Sequence, residues 1–369
     1  MVLSGWGASK LLLFGEHAAV YGYPAVGVAL PDGVRLHIRP GAGPVGSDAR
    51  GVGTGGLGAV RSDAGRSVSG RSAASRDGGF YAHGWHFSGL PERYARILGK
   101  LMTHAEAVLR ERFDARRVEE LRGDMQIEAT VPPAVGFGSS AAVCTALAKA
   151  LLPALSPQTP SPHEVWRLAH ELEVFFHGSP SGIDTGIANL GGIQAFTFEG
   201  GGLPRARSLT SPDLYLLVGA VPRHDDTKHL VARVKAAHES GAKPVRCALD
   251  RLGSIAEEAI ELLGHTDSAR VVQRLGGLAE EAHERLSELD LSNRDLESVL
   301  SAGRQAGAVG GKLSGAGGGG AFYLLVADEE VLARAEAAVR RVLGGIGGDL
   351  PLFSYRVVAG DAERVSPAA

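Results

Sequence analysis

The sequence predicts an α+β protein built as two domains, residues 1–205 and 206–369. Three observations carry this expectation. At 369 residues the chain exceeds the usual size of one domain. Strand-like and helix-like periods follow one another without the regular alternation of a doubly wound sheet. Near residue 206 the pattern changes to a strand followed by a long, mostly helical stretch. The cleft between the two domains is then the default place for a site.

The elements read in order as follows. Lys10 to Phe14 is a short apolar run ending at Gly15, as in a buried strand. Pro31-Asp32-Gly33 reads as a turn, and Val34, Leu36 and Ile38 alternate with polar residues after it, giving a second strand. Met125, Ile127, Ala129 and Val131 alternate in the same way. Beyond a glycine turn, Val143, Leu147 and Leu151 repeat at helical spacing. Ser161 and Glu164 form a capping box around Pro162, opening a helix with Val165, Leu168, Leu172 and Phe176 on one face. In the second half, Leu214 to Val218 reads as a strand, and the helical stretch runs from there to a glycine cluster. A strand from Ala321 to Val326, a helix capped by Asp328 and a strand from Leu352 to Val358 complete the chain.

Glycine supplies 52 of the 369 residues, about twice the usual ~7%. Twelve of them fall between residues 41 and 79, among Ser, Ala, Asp and Arg, with Arg61, Arg66, Arg71 and Arg76 spaced five apart. So little apolar material cannot build a core, so this low-complexity insertion is expected to be disordered. With 38 Lys+Arg against 41 Asp+Glu the net charge is −3, and no window interleaves basic and aromatic residues, which excludes a nucleic-acid groove. The apolar stretch from Leu11 to Leu30 is broken by Glu16, His17, glycines and Pro24, so a membrane span is not expected there, nor is a cleavable leader. Two cysteines, Cys144 and Cys247, form neither a disulfide framework nor a metal cluster, which points to the cytoplasm.

Three glycine-bearing segments could carry chemistry. Pro132 to Ala142 (PPAVGFGSSAA) joins a strand to a helix, and its small residues let backbone N–H groups approach an anion at a helix N-terminus. Gly136-x-Gly138-x-x-Ala141 also matches a dinucleotide fingerprint, but about 20 residues on, where that motif needs an acidic residue ending a strand, a Ser/Pro loop opens a helix. Lys312 to Gly320 (KLSGAGGGG) precedes a strand rather than a helix. It also lacks the first glycine and the Ser/Thr of a Walker A loop, so a flexible turn is its plain alternative. Gly15-Glu16-His17 follows the first strand, and Lys10, if it is inside, needs an anionic partner.

Together the strings Lys10–Gly22 (KLLLFGEHAAVYG), PPAVGFGSSAA, His177–Gly192 (HGSPSGIDTGIANLGG) and Lys312–Ala321 (KLSGAGGGGA) resemble, in order, the motifs of the GHMP kinase family. The resemblance spans the chain apart from the insertion. It implies an N-terminal domain like ribosomal protein S5 domain 2 and a ferredoxin-like C-terminal domain. It also implies ATP- and Mg²⁺-dependent phosphorylation of a small alcohol, with mevalonate as the acceptor the strings favour. A galactokinase would carry an acidic residue after Gly-Glu-His-Thr, where Ala18-Ala19 stands. Phosphomevalonate or a sugar as acceptor, or a non-catalytic ligand sensor of the same fold, are the alternatives. A homodimer is common in the family, but the sequence shows no interface signature.

The resemblance also assigns roles. Backbone groups of Gly136, Phe137, Gly138, Ser139 and Ser140 would hold the triphosphate. Ser140 and Glu173 would hold Mg²⁺, and Asp184 with Lys10 would act on the acceptor hydroxyl and the transferring charge. Glu16, His17 and Thr227 would bind the acceptor, with Gly315, Gly317 and Gly318 supporting the phosphate loop. Read without the family, Ser140 is an N-cap, Glu173 a solvated helix residue, Asp184 a turn residue and His17 a packed histidine. Phe137 departs from the smaller residue usual in the family and should alter packing beneath the loop. Asp225 and Asp226 are more acidic than usual there, which leaves fine acceptor choice open.

Overall fold

The computed structural model describes residues 1–41, 73–74, 79–225, 227–265 and 268–365. Most of the insertion at 41–79, and Asp226, lie outside the described residues. The chain divides into two compact units that interleave along the sequence: Met1–Gly5, Arg35–Glu128 and Lys149–Pro160 form the smaller, and Trp6–Val34, Ala129–Ala148 and Ser161–Ala369 the larger. That partition differs from a single division at residue 206.

In the smaller unit, β3 (Ala73–Ala74), β4 (Phe80–Ala82) and β5 (Trp85–Ser88) pair antiparallel in turn, and β5 runs parallel to β6 (Gly123–Ala129). The helices are α1 (Glu92–Arg110) and α2 (Ala115–Glu119). Burying Trp85 and Glu106 is tolerable because each polar group is answered: Trp85 Nε1 donates to Glu106 Oε1 at 3.0 Å and Arg122 makes bonds of 2.8 and 2.6 Å to both oxygens of that carboxylate.

The larger unit holds most of β1 (Leu3–Phe14) and the first part of β2 (Ala25–Pro40), which pairs with β7 (Ile193–Thr197), itself paired with β8 (Arg205–Leu209). Its five-stranded antiparallel sheet has the order β10 (Gly310–Leu313), β11 (Gly320–Val326), β9 (Leu214–Val221), β12 (Leu352–Val358), β13 (Asp361–Arg364). The helices are α3 (Ser139–Leu155), which begins in this unit, α4 (Pro162–His177), α5 (Ile183–Leu190), α6 (Thr227–Glu239), α7 (Lys243–Leu262), α8 (Ser268–Glu288), α9 (Arg294–Gln305) and α10 (Glu329–Ile346). The capping box of α4 forms as its sequence predicts, and Asp328 caps α10 through the Val331 N–H. A core of Leu12, Ala25, Trp166, Ile183, Ile187 and Phe196 locks α4 and α5 onto β1, β2 and β7.

Two expectations need correction. The first strand starts at Leu3 rather than at Lys10. Pro31-Asp32-Gly33 is not a turn, because β2 runs through it without a break. Asp32 is buried and accepts hydrogen bonds from Tyr355 Oη (2.7 Å) and Arg364 (3.3 Å), while Gly33 allows a close approach: a Cβ there would stand 2.2 Å from the Gly7 carbonyl oxygen. Turn-forming residues are used here for a buried acceptor and a tight strand contact.

Candidate active site

The site begins with the register of β1 against the loop between β6 and α3. The Lys10 N–H donates to the Phe137 carbonyl at 2.9 Å, and the Lys10 stem lies across Gly138. Gly138 has φ +71°, and a Cβ there would stand 2.6 Å from Lys10 Cγ, so glycine is required both for backbone shape and for space. The Ala142 N–H donates to the Gly138 carbonyl at 2.9 Å, closing the first turn of α3 just beyond the loop. The Phe137 side chain is buried and meets Phe353 edge-on at 6.1 Å, so it works in packing under the loop.

Lys10 is almost fully buried, and its Nζ lies 3.2 Å from Asp184 Oδ2. Asp184 occupies the first turn of α5. The entry to that helix is fixed by Gly182 in a left-handed conformation, whose carbonyl accepts from Trp166 Nε1 at 2.9 Å. Asp184 is about one-third exposed, at 34%, so it faces the cavity while Lys10 supports it from behind.

Glu173, late in α4, is buried, and its Oε2 has no hydrogen-bond partner. Burial first, and the neighbouring Asp184 charge second, push its carboxyl up to about 8, with Lys10 opposing. A buried carboxyl with one orphaned oxygen beside a second carboxylate is an arrangement a divalent cation would relieve. Ser140 Oγ lies 3.1 Å from His177 Nε2, which is 3.9 Å from Glu173 Oε1, so the hydroxyl and the carboxyl flank one imidazole. Among the described residues no group of three or more His, Cys, Asp and Glu side chains could hold a metal unaided. The donor set suits Mg²⁺, which takes one or two protein ligands and completes its shell with water and phosphate oxygens.

These groups line a cavity of about 560 Å³ within the larger unit, together with Gly136, Ser139, Arg223, Thr227, Gly315 and Ala316. Thr227 opens α6 and accepts from Arg223 Nη1 at 2.9 Å. Gly136 lies against Arg223 and Ala321, the residue after the second glycine cluster. Gly315 lines the cavity, whereas Gly317 and Gly318 pack against Leu291 and Leu230.

Glu16 and His17 are not among the lining residues. Glu16 is buried in an ion pair with Lys312; burial raises its carboxyl and Lys312 opposes the rise. His17 Nε2 donates to the Ala316 carbonyl at 3.1 Å, and burial lowers its pKa. Sequence reasoning gave no role to His177, Arg223 or Lys312. The signal for His177 was its place four residues after Glu173, on the same helix face. Arg223, one strand-end away from Thr227, had none.

A glycine-bearing loop at a helix N-terminus, a buried lysine paired to an aspartate and a buried carboxyl with one unsatisfied oxygen meet in one cavity, the features of a phosphoryl-transfer protein of mixed α and β structure. The comparisons agree. The GHMP kinases N terminal domain matches residues 100–192 and the GHMP kinases C terminal domain matches residues 256–344. Mevalonate kinase of Pyrococcus horikoshii is 30% identical over 342 residues, covering 92% of each chain. That of Thermococcus sibiricus is 29% identical over 330 residues, covering 87% of this chain and 88% of its own. The crystal structure of L. major mevalonate kinase in complex with R-mevalonate has a TM-score of 0.71 at 23% identity, covering 97% of this chain and 96% of that one. This chain belongs to the GHMP kinase family, and it is a phosphotransferase with an alcohol group as acceptor. Its fold is the two-domain fold of that family.

Proposed function

We propose that the protein is an ATP- and Mg²⁺-dependent kinase that transfers the γ-phosphoryl group to the primary hydroxyl of mevalonate, giving 5-phosphomevalonate for isoprenoid biosynthesis in the cytoplasm. The observation that carries the reading is the Lys10–Asp184 pair, 3.2 Å apart, in the cavity lined by Gly136, Gly138, Ser139 and Ser140. The names of the curated relatives support mevalonate as acceptor. Domains at 1–205 and 206–369 accord with the two family matches, which fall on opposite sides of residue 206.

Each residue then has a task. Backbone N–H groups of Gly136 to Ser140, with the dipole of α3, hold the triphosphate. Ser140 and Glu173 hold Mg²⁺, which supplies charge neutralisation at the phosphates when bound. Asp184 accepts the hydrogen bond of the primary hydroxyl and aims its oxygen at the γ-phosphorus. Lys10 fixes that carboxylate and offers positive charge to the transferring group. Thr227 lies on the acceptor side, Glu16 and His17 shape it from behind the Gly315-Ala316 wall, and Gly317 and Gly318 hold that wall in place. The deciding experiment is ADP release with Mg-ATP against mevalonate, phosphomevalonate, galactose, homoserine and no acceptor. Turnover with mevalonate alone is expected. Turnover with another acceptor would move the assignment within the family, and saturable binding without turnover on any would leave a ligand sensor.

A further inference from the structure

Lys312 is the most deeply buried charge among the described residues of the larger unit: its side chain is 0% exposed and that of its partner Glu16 is 1% exposed. Nζ pairs with Glu16 Oε1, donates to the Leu313 carbonyl at 2.8 Å and stands 5.4 Å from the centre of the Tyr323 ring. Glu16 Oε2 is buried without a hydrogen-bond partner, so Lys312 is the principal compensation for that carboxylate. Burying an ion pair this completely seldom adds net stability over apolar side chains of the same volume, so its presence asks for another reason.

The surroundings supply one. Glu16 precedes His17, whose backbone sits at φ +58° and ψ −40°, a strained conformation for a residue with a side chain. His17 is held there by its bond to the Ala316 carbonyl. Ser314 Oγ donates to the Leu12 carbonyl at 2.9 Å and accepts from the Leu12 N–H at 3.0 Å, and Tyr323 Oη donates to the Leu13 carbonyl at 2.8 Å. Residues 12–17 and 312–316 are therefore laced together by side chains across some 300 residues of sequence. Lys10 lies two residues upstream on the same strand, with its ammonium on Asp184.

We propose that Lys312 is a positioning residue for phosphoryl transfer: through Glu16 it locks the strained Glu16-His17 corner and the Gly315-Ala316 wall into one register, and so sets where β1 delivers Lys10 to Asp184. The inference rests on the kinase reading. A displacement of Lys10 by about 1 Å is enough to cost up to ~100-fold in rate.

The test is a double-mutant cycle in the full-length protein with Lys312→Met, Glu16→Gln and the pair of changes together, reading kcat, KM for both substrates and the melting temperature. Lys312→Gln, which keeps a donor in the same space, takes the place of Lys312→Met if the latter does not fold. For a positioning role, each Lys312 variant lowers kcat by about 10- to 100-fold with both KM values within about 3-fold of wild type, and Glu16→Gln adds little once Lys312 is changed. A folded Lys312 variant with wild-type kcat overturns the proposal. So do fully additive effects accompanied by a raised acceptor KM in Glu16→Gln alone, which would make Glu16 a direct acceptor contact. Wild-type protein that turns over none of the acceptors removes the kinase reading, and with it this inference, and is recognised before any variant is compared.

Discussion

Asp184 shows how one residue acquires a task from its position. A side chain in the first turn of a short helix is ordinarily solvated, but Trp166 fixes the Gly182 carbonyl and Lys10 approaches from the buried side. The carboxylate therefore has one face tied and one face open. Asp184→Asn preserves size and one acceptor oxygen but removes the negative charge, so it should lower kcat at least ~100-fold while leaving ATP binding nearly intact. Steady-state turnover beside a nucleotide titration checks this, and near-wild-type turnover would reassign the acceptor-orienting group. That Asp184, Glu173, Ser140 and Lys10 share one cavity was legible in the sequence through the family's strings, since each occupies a motif position. The geometry around Glu16 was not legible, because a motif names residue types and not the direction a side chain takes. Nothing near Glu16 in sequence announces Lys312, which lies 296 residues away.

At the scale of elements, legibility followed local signals. The α4 helix was readable because Ser161, Pro162 and Glu164 mark its start and a 3.6-residue apolar period marks its buried face. β2 was misread at Pro31-Asp32-Gly33 because turn propensity is a local quantity, whereas Asp32 answers Tyr355 and Arg364 from the far end of the chain. The paired helices α7 and α8 show a tie that sequence period alone does not reveal. Arg251 makes two bonds of 2.6 Å to Glu281 and one of 2.7 Å to Glu258, which also receives Arg274. Hydrogen bonding to Arg251 is the first cause that holds both carboxyls below their ordinary value. Depressed carboxyls stabilise the fold above the unfolded value of 4.5 and lose that contribution as pH falls through the lower, folded value. Arg251→Ala should therefore lower the melting temperature at pH 7, and the gap from wild type should narrow in acid below about pH 4. A gap of constant size across that range would mean that Arg251 acts through packing of its stem.

Across the whole molecule, the groups that line the cavity are gathered from β1, the loop before α3, the end of α4, the start of α5, the start of α6 and the loop after β10, and all of them lie in the larger unit. No helix among the described residues is long and apolar enough to cross a membrane, and the net charge of −3 gives no broad attraction for polyanions. Binding of a nucleotide must then depend on the local field in the cavity, where Lys10 and Arg223 face Glu173 and Asp184. In the cavity Glu173 Oε2 is buried and unsatisfied, and among the described residues no three-residue ligand cluster stands beside it, so Mg²⁺ would find too few ligands there to bind tightly alone. On the proposed function phosphate oxygens would complete the shell, so metal and nucleotide should stabilise the fold together. A ligand present at 100 times its Kd adds about 2.7 kcal/mol to the folded state. Mg²⁺ alone should leave the melting temperature almost unchanged, ATP with a chelator should raise it slightly, and Mg-ATP should raise it by more than the two separate shifts combined. In Glu173→Gln that excess should disappear while the shift with ATP and chelator persists. Equal shifts for ATP with and without Mg²⁺ in the unaltered protein would show that Glu173 serves the fold and not the metal.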